Sequence, residues 1–152
     1  MALPVEIPEH LTPLPYTLAS PQGQSMVLRA EVSDWVNIIG FPFGKSSAGY
    51  FAIWVKGAIA SDMEIDHDQL PCFLIDSRTR PGQSGSPVVA YAPAGPAILG
   101  NGSLVEQSVP LVRILGVYSG RINEQSDIGY VWKTSAIEEI LENGVEGDVS
   151  VT

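Results

Sequence analysis

The chain reads as an all-β domain closed by one C-terminal helix, and three observations predict this. Short apolar runs recur through the middle of the sequence, each bounded by Gly, Pro, Asn or Asp. That is the pattern of strands joined by turns, and it implies a closed or sandwiched sheet. Five prolines (Pro4, Pro8, Pro13, Pro15 and Pro21) exclude a helix at the start, because proline lacks the N–H and clashes with the preceding turn. Helical spacing is strong only at Ser135–Asn143, where Ile137, Ile140 and Leu141 form one apolar stripe.

In order, residues 1–25 read as an extended, proline-rich segment that covers the fold. Met26–Glu31 and Trp35–Phe41 read as strands. Tyr50–Ala60 is a longer run, with Phe51, Ile53 and Val55 on one parity and Ala52 and Trp54 on the other. Both of its faces are therefore expected to be covered. Phe73–Asp76, Pro87–Tyr91, Leu111–Ser119 and Ile128–Trp132 complete the strands. Ala92–Gly102 and Asn123–Asp127 read as loops, with Asn101-Gly102 as a tight turn. Ser135-Ala136-Ile137-Glu138 has the form of a capping box, and Gly144 can end the helix. The barrel is placed at 26–133, the helix at 134–144 and a flexible acidic tail at 145–152.

One domain suffices for 152 residues. The net charge of −9 makes nucleic acid and anionic membrane surfaces poor partners. Glu138, Glu139, Glu142, Glu146 and Asp148 read as a solvated acidic face. The single cysteine, Cys72, forms no intrachain disulfide; it reads as a buried thiol and suits a reducing compartment without proving one. No apolar run is long enough to span a bilayer, and the first residues lack the pattern of a signal peptide. Asp62-Met63-Glu64-Ile65-Asp66-His67-Asp68 alternates carboxylates. It lacks the glycine and closing glutamate of a calcium loop, so solvated charge is expected and no metal.

The chemistry concentrates at Arg80-Pro81-Gly82-Gln83-Ser84-Gly85-Ser86-Pro87. A serine between glycines can sit on a tight turn that lifts its hydroxyl from the fold and frees neighbouring N–H groups. Such N–H groups can hold the oxyanion formed when a hydroxyl attacks a carbonyl. This segment resembles the nucleophile loop of the trypsin-like (chymotrypsin-fold) serine peptidases. Gly40-Phe41-Pro42-Phe43-Gly44, Phe73-Leu74-Ile75-Asp76, Leu115-Gly116-Val117-Tyr118-Ser119-Gly120 and Gly129-Tyr130-Val131-Trp132 are similar to the family's flanking strands, in family order.

The resemblance implies an antiparallel trypsin-like β-barrel, the C-terminal half of a two-barrel fold. It implies Ser84 as nucleophile, with the N–H groups of Gly82 and Ser84 as the oxyanion hole. It places Val117, Tyr118, Ser119 and Gly120 along the substrate backbone, and Arg78 and Thr79 at the primary specificity pocket. Arg78 at the pocket base would favour an acidic substrate side chain; a pairing of the arginines with Asp76, or exposure to solvent, is an equal expectation. Tyr118 stands where members that cleave after Glu often carry His. Gln83 replaces the family Asp or Asn, which argues against activation by a new N-terminus.

The family's Ser-His-Asp triad is not matched. His10 and His67 lie in the wrong contexts, and too few residues precede Val36 for a first barrel. Ala2-Leu3-Pro4-Val5 is similar to the stretch after the family Asp, so the chain is expected to be a partial one, inactive alone. Peptide or protein substrates are the implied partners, together with the missing first barrel or a second copy of the chain. No cofactor is implied. The other reading is a non-catalytic peptide-binding module of the same fold.

Overall fold

A computed structural model describes residues 27–144 of the protein. The strands are β1 (Trp35–Gly40), β2 (Ile53–Ile59), β3 (Cys72–Ser77), β4 (Pro87–Ala92), β5 (Gly95–Ile98), β6 (Leu104–Gln107), β7 (Leu111–Arg121) and β8 (Ile128–Lys133), followed by the helix α1 (Thr134–Asn143). Six of them close a barrel in the order β1-β2-β3-β8-β7-β4. Every neighbouring pair is antiparallel, and β4 returns to β1 through Asn37↔Val89 and Ile38↔Val88. The remaining pair, β5 and β6, is a hairpin inserted between β4 and β7. The all-β barrel with a C-terminal helix that the sequence predicts is thus formed.

Period-two alternation selects the core. Val36 and Ile38 of β1, Phe73 and Ile75 of β3, Val88 and Ala90 of β4, Leu115 and Tyr118 of β7, and Val131 of β8 point inward and form one cluster. Burying a side chain of this size stabilises the fold by roughly 1.5–3 kcal/mol, so closure of the barrel organises most of the apolar free energy.

Four local expectations are corrected. Of the strand expected at Met26–Glu31, the described residues hold one bridge, Leu28↔Leu99. The chain turns instead, because the Asp34 carboxylate accepts the Glu31 N–H at 2.9 Å and Ser33 takes φ 76°. Within Ala92–Gly102, read as a loop, lies β5; its Pro96 is tolerated because this is an edge strand. The face of β2 bearing Trp54 and Lys56 is exposed rather than covered.

The capping box does not form. Lys133 is the N-cap, no side chain caps the helix, and Ser135 lies inside it. Lys133 belongs to β8 and is held there, its N–H by Pro71 O and its Nζ by Asp66 at 2.6 Å. The chain therefore passes from strand to helix before Ser135 is reached. Gly144 does close the helix, donating to Ile140 O. The apolar stripe is only partly covered, with Ile140 at 69% and Leu141 at 73% exposure.

Candidate active site

The serine loop spans the gap between the end of β3 and the start of β4. Its shape follows from two tight turns, in which Gln83 N–H donates to Arg80 O and Ser86 N–H donates to Gln83 O. Gly82 and Gly85 take φ +90° and +86°. At Gly82 a side chain is doubly hindered: that φ disfavours L residues, and a Cβ there would lie 2.9 Å from Phe41 O. The 3-10 turn Pro42–Gly44 packs against this point. Phe43 N–H donates to Pro81 O at 2.7 Å, and Phe43 itself adopts φ 54°, a left-handed conformation that costs energy for a bulky residue.

These bonds orient two peptide groups. The Pro81 carbonyl is turned to Phe43 N–H and the Gln83 carbonyl to Ser86 N–H. No peptide here is cis, and across a trans peptide the N–H points opposite to the C=O. The N–H groups of Gly82 and Ser84 therefore point away from the contacts that hold the Pro81 and Gln83 carbonyls. Neither donates to an acceptor among the described residues. Gln83 is fully buried beneath them, its Oε1 accepting Arg80 N–H at 2.8 Å. Gln83 thus braces the loop from inside.

Ser84 is exposed, and its Oγ donates to Ser119 O at 2.6 Å. Ser119 is the residue at which the β7–β8 register shifts, between Tyr118 and Gly120, and such a bulge re-aims the backbone. Val117 has a neighbour on each side, Pro87 and Trp132. Tyr118 is held by the loop, its N–H donating to Ser86 O and its O accepting Gly85 N–H. Beyond Tyr118, β4 no longer runs beside β7, so Ser119 and Gly120 lie past the paired edge.

The Tyr118 side chain turns inward and is 2% exposed. Its phenol hydrogen-bonds the hydroxyl of Thr79, which is 1% exposed. Its ring lies on Gly129, where a Cβ would stand 2.5 Å from Cε2. Arg78 is exposed and Arg80 donates to Thr79 O at 3.0 Å. Neither arginine pairs with Asp76 among the described residues.

The structure therefore brings Gly82, Ser84, Ser119 and Gly120 together at the surface, puts Thr79 and Tyr118 beneath them, and leaves Arg78 in solvent. Among the described residues no imidazole bonds Ser84. His67 sits in the connection between β2 and β3, with Nε2 3.5 Å from Asp68 and its ring against Tyr130; His10 lies outside the described residues. The Thr79–Tyr118 bond is not visible in sequence, because 39 positions separate the two. The exposed aromatics Phe41 and Phe43 lie beside the loop; Tyr50, at 88%, and Phe51 are exposed as well. A cavity of about 630 Å³ lies elsewhere, lined by Arg29, Asp62, Glu64 and Arg113; burial pushes the Arg113 guanidinium below its ordinary pKa.

No family model matches the chain, and no curated protein matches it. Among solved structures the chain is similar to Rv3671c from M. tuberculosis H37Rv, crystallised as a serine-to-alanine mutant in an inactive form. The two are 19% identical over 91% of this chain and 59% of that one, with a TM-score of 0.52. This chain therefore spans 59% of the length of that one. At such identity the likeness shows the fold, a closed six-strand barrel of the trypsin-like class with its C-terminal helix.

Proposed function

We propose that this barrel is the nucleophile-bearing half of a serine endopeptidase. The observation that carries the reading is the pair of N–H groups at Gly82 and Ser84 that meet no acceptor among the described residues, held by the Pro81 and Gln83 carbonyl contacts beside an exposed Ser84 hydroxyl. Ser84 Oγ attacks the peptide carbonyl carbon, and the carbonyl oxygen becomes an oxyanion that accepts from those two N–H groups. Collapse expels the amine and leaves an acyl-enzyme, which water hydrolyses. The exposed edge at Ser119–Gly120 pairs with the substrate backbone as an added strand. The chemistry needs no cofactor.

The step also needs a base for the Ser84 proton, and no group among the described residues accepts it except Ser119 O. A carbonyl is far too weak a base for this role, and loss of the histidine costs the family several orders of magnitude. On this reading the base comes from outside the described residues, and a histidine-bearing partner would supply it. The exposed Phe41 and Phe43 beside the loop suit such a partner, or a second copy of the chain. The absence of a bonded imidazole equally favours a second reading, a peptide-binding module without catalysis.

The test is acylation with exogenous imidazole. The protein is mixed with p-nitrophenyl acetate, with and without imidazole, and every acetylated residue is mapped by mass spectrometry. The peptidase reading predicts little labelling without imidazole and selective acetylation of Ser84 with it, lost in Ser84→Ala. Acetylation of Ser84 no faster than that of other exposed serines contradicts it and leaves the binding-module reading.

A further inference from the structure

We infer that Tyr118 closes the recess behind Ser84, so that the site accepts only glycine or another very small side chain at the residue whose carbonyl Ser84 approaches. This deepens the reading of Ser84 as the reacting centre and rests on it. The geometry is local. Ser84 Oγ touches the Ser119 carbonyl, so a chain that brings a carbonyl to Ser84 lies along β7 at Ser119 and Gly120, on the side that β4 leaves unpaired. Behind that point Thr79, the end of β7 at Tyr118 and β8 at Gly129 come together. The Tyr118 side chain fills the space between them. Its ring rests on the Cα of Gly129, with no room for even a Cβ, and its hydroxyl is tied to the buried Thr79 hydroxyl.

Three restraints keep the ring there. The Tyr118 N–H is bonded to Ser86 O and its carbonyl to Gly85 N–H, so the backbone is tied to the serine loop on both sides. The phenol has a partner that also needs it: Thr79 Oγ1 is buried, and rotating Tyr118 outward would strip both hydroxyls of their hydrogen bond. The ring packs in the core cluster with Phe73, Ile75 and Val131. A side chain larger than a methyl group must displace it and lose those contacts. Arg78 is exposed to solvent, whereas the ring and Thr79 are buried.

The experiment has two arms. In the first, peptide aldehydes of the form acetyl-Ala-Ala-Xaa-H, with Xaa Gly, Ala, Leu or Phe, are bound to the protein and to Tyr118→Gly. An aldehyde adds the Ser84 hydroxyl across its C=O, so the oxygen–carbon bond forms and the proton passes to the aldehyde oxygen without a leaving group. The wild type is expected to bind the Gly and Ala aldehydes at least about tenfold more tightly than the Phe aldehyde, and Tyr118→Gly to reverse that order. Equal binding of the Phe and Ala aldehydes by the wild type overturns the inference, whether or not the variant folds.

The second arm needs no reaction at Ser84. Phenol is titrated into both proteins, with amide resonances of Thr79, Gly85 and Gly129 followed. Tyr118→Gly, shown folded by circular dichroism, is expected to bind phenol at those residues, and the wild type is not. Phenol bound by the wild type there, or refused by a folded variant, overturns the inference. Should that variant fail to fold, Tyr118→Ala replaces it with the same readout. If no aldehyde reacts with any form, the proposed nucleophile is lost, and the phenol arm alone decides whether Tyr118 is the plug.

Discussion

The Ser84 hydroxyl donates to the Ser119 carbonyl at 2.6 Å, and this contact joins a loop to a strand 35 positions later in the chain. It follows from the barrel: β4 and β7 pair from Pro87↔Val117 onward, so the loop ahead of Pro87 must lie over the residues after Val117. The bulge at Ser119 then turns its carbonyl to the hydroxyl. The candidate site is a consequence of register, and its parts stand or fall together.

Gly82→Ala tests the loop. Alanine at φ +90° is strained, and its Cβ would press on Phe41 O at 2.9 Å. The expected cost is about 1–3 kcal/mol, seen in urea as a lower midpoint at unchanged slope. Imidazole-dependent acetylation of Ser84 should fall in parallel, since relief of the strain moves the Gly82 N–H. A variant as stable as the wild type would mean that the turn is not held as described.

Thr79→Val and Tyr118→Phe each leave a buried hydroxyl without its partner. Each should destabilise by about 1–3 kcal/mol. The double variant removes both hydroxyls, so its cost should be less than the sum, with a coupling of roughly 0.5–3 kcal/mol. A double-mutant cycle by urea unfolding measures this, and strict additivity would contradict the bond.

Cys72 carries a pH dependence. Burial pushes its thiol pKa above the ordinary value of 9.0; the charges of Asp66 and Asp68 add to this and Lys133 opposes it. Because the folded value is the higher one, the neutral thiol's contribution is fully present below about pH 9 and is lost as pH rises through the folded pKa. Stability of the wild type relative to Cys72→Ala should be level at neutral pH and decline in alkali. A difference that grows in alkali would reverse the sign.

Much of this was readable from residue order. The barrel strands 35–40, 72–77, 87–92 and 128–133 follow from apolar runs between turn residues, and the serine loop follows from its glycines. What was not readable depends on partners distant in sequence. Ser135 looks like a cap until Lys133 is anchored to Pro71 and Asp66. Pro96 hides β5, because proline reads as a breaker wherever the edge position of a strand is unknown. Tyr118 reads as a residue of the substrate-lining strand, with nothing in its neighbours to say where its ring turns. Only closure of β7 against β8 at Arg121↔Gly129 and Gly120↔Tyr130 carries its ring over Gly129 and its phenol to Thr79.

The most direct test of the central claim watches the Gly82 and Ser84 N–H groups while an oxyanion mimic forms. A peptide boronic acid ending in boroalanine is titrated into uniformly 15N-labelled protein, and the amide resonances of Gly82 and Ser84 are followed. A tetrahedral boronate on Ser84 would place an oxygen on both N–H groups. The account predicts downfield shifts of these two amides, saturating with boronate and abolished in Ser84→Ala. Shifts that spare Gly82 and Ser84, or that persist in Ser84→Ala, would contradict it.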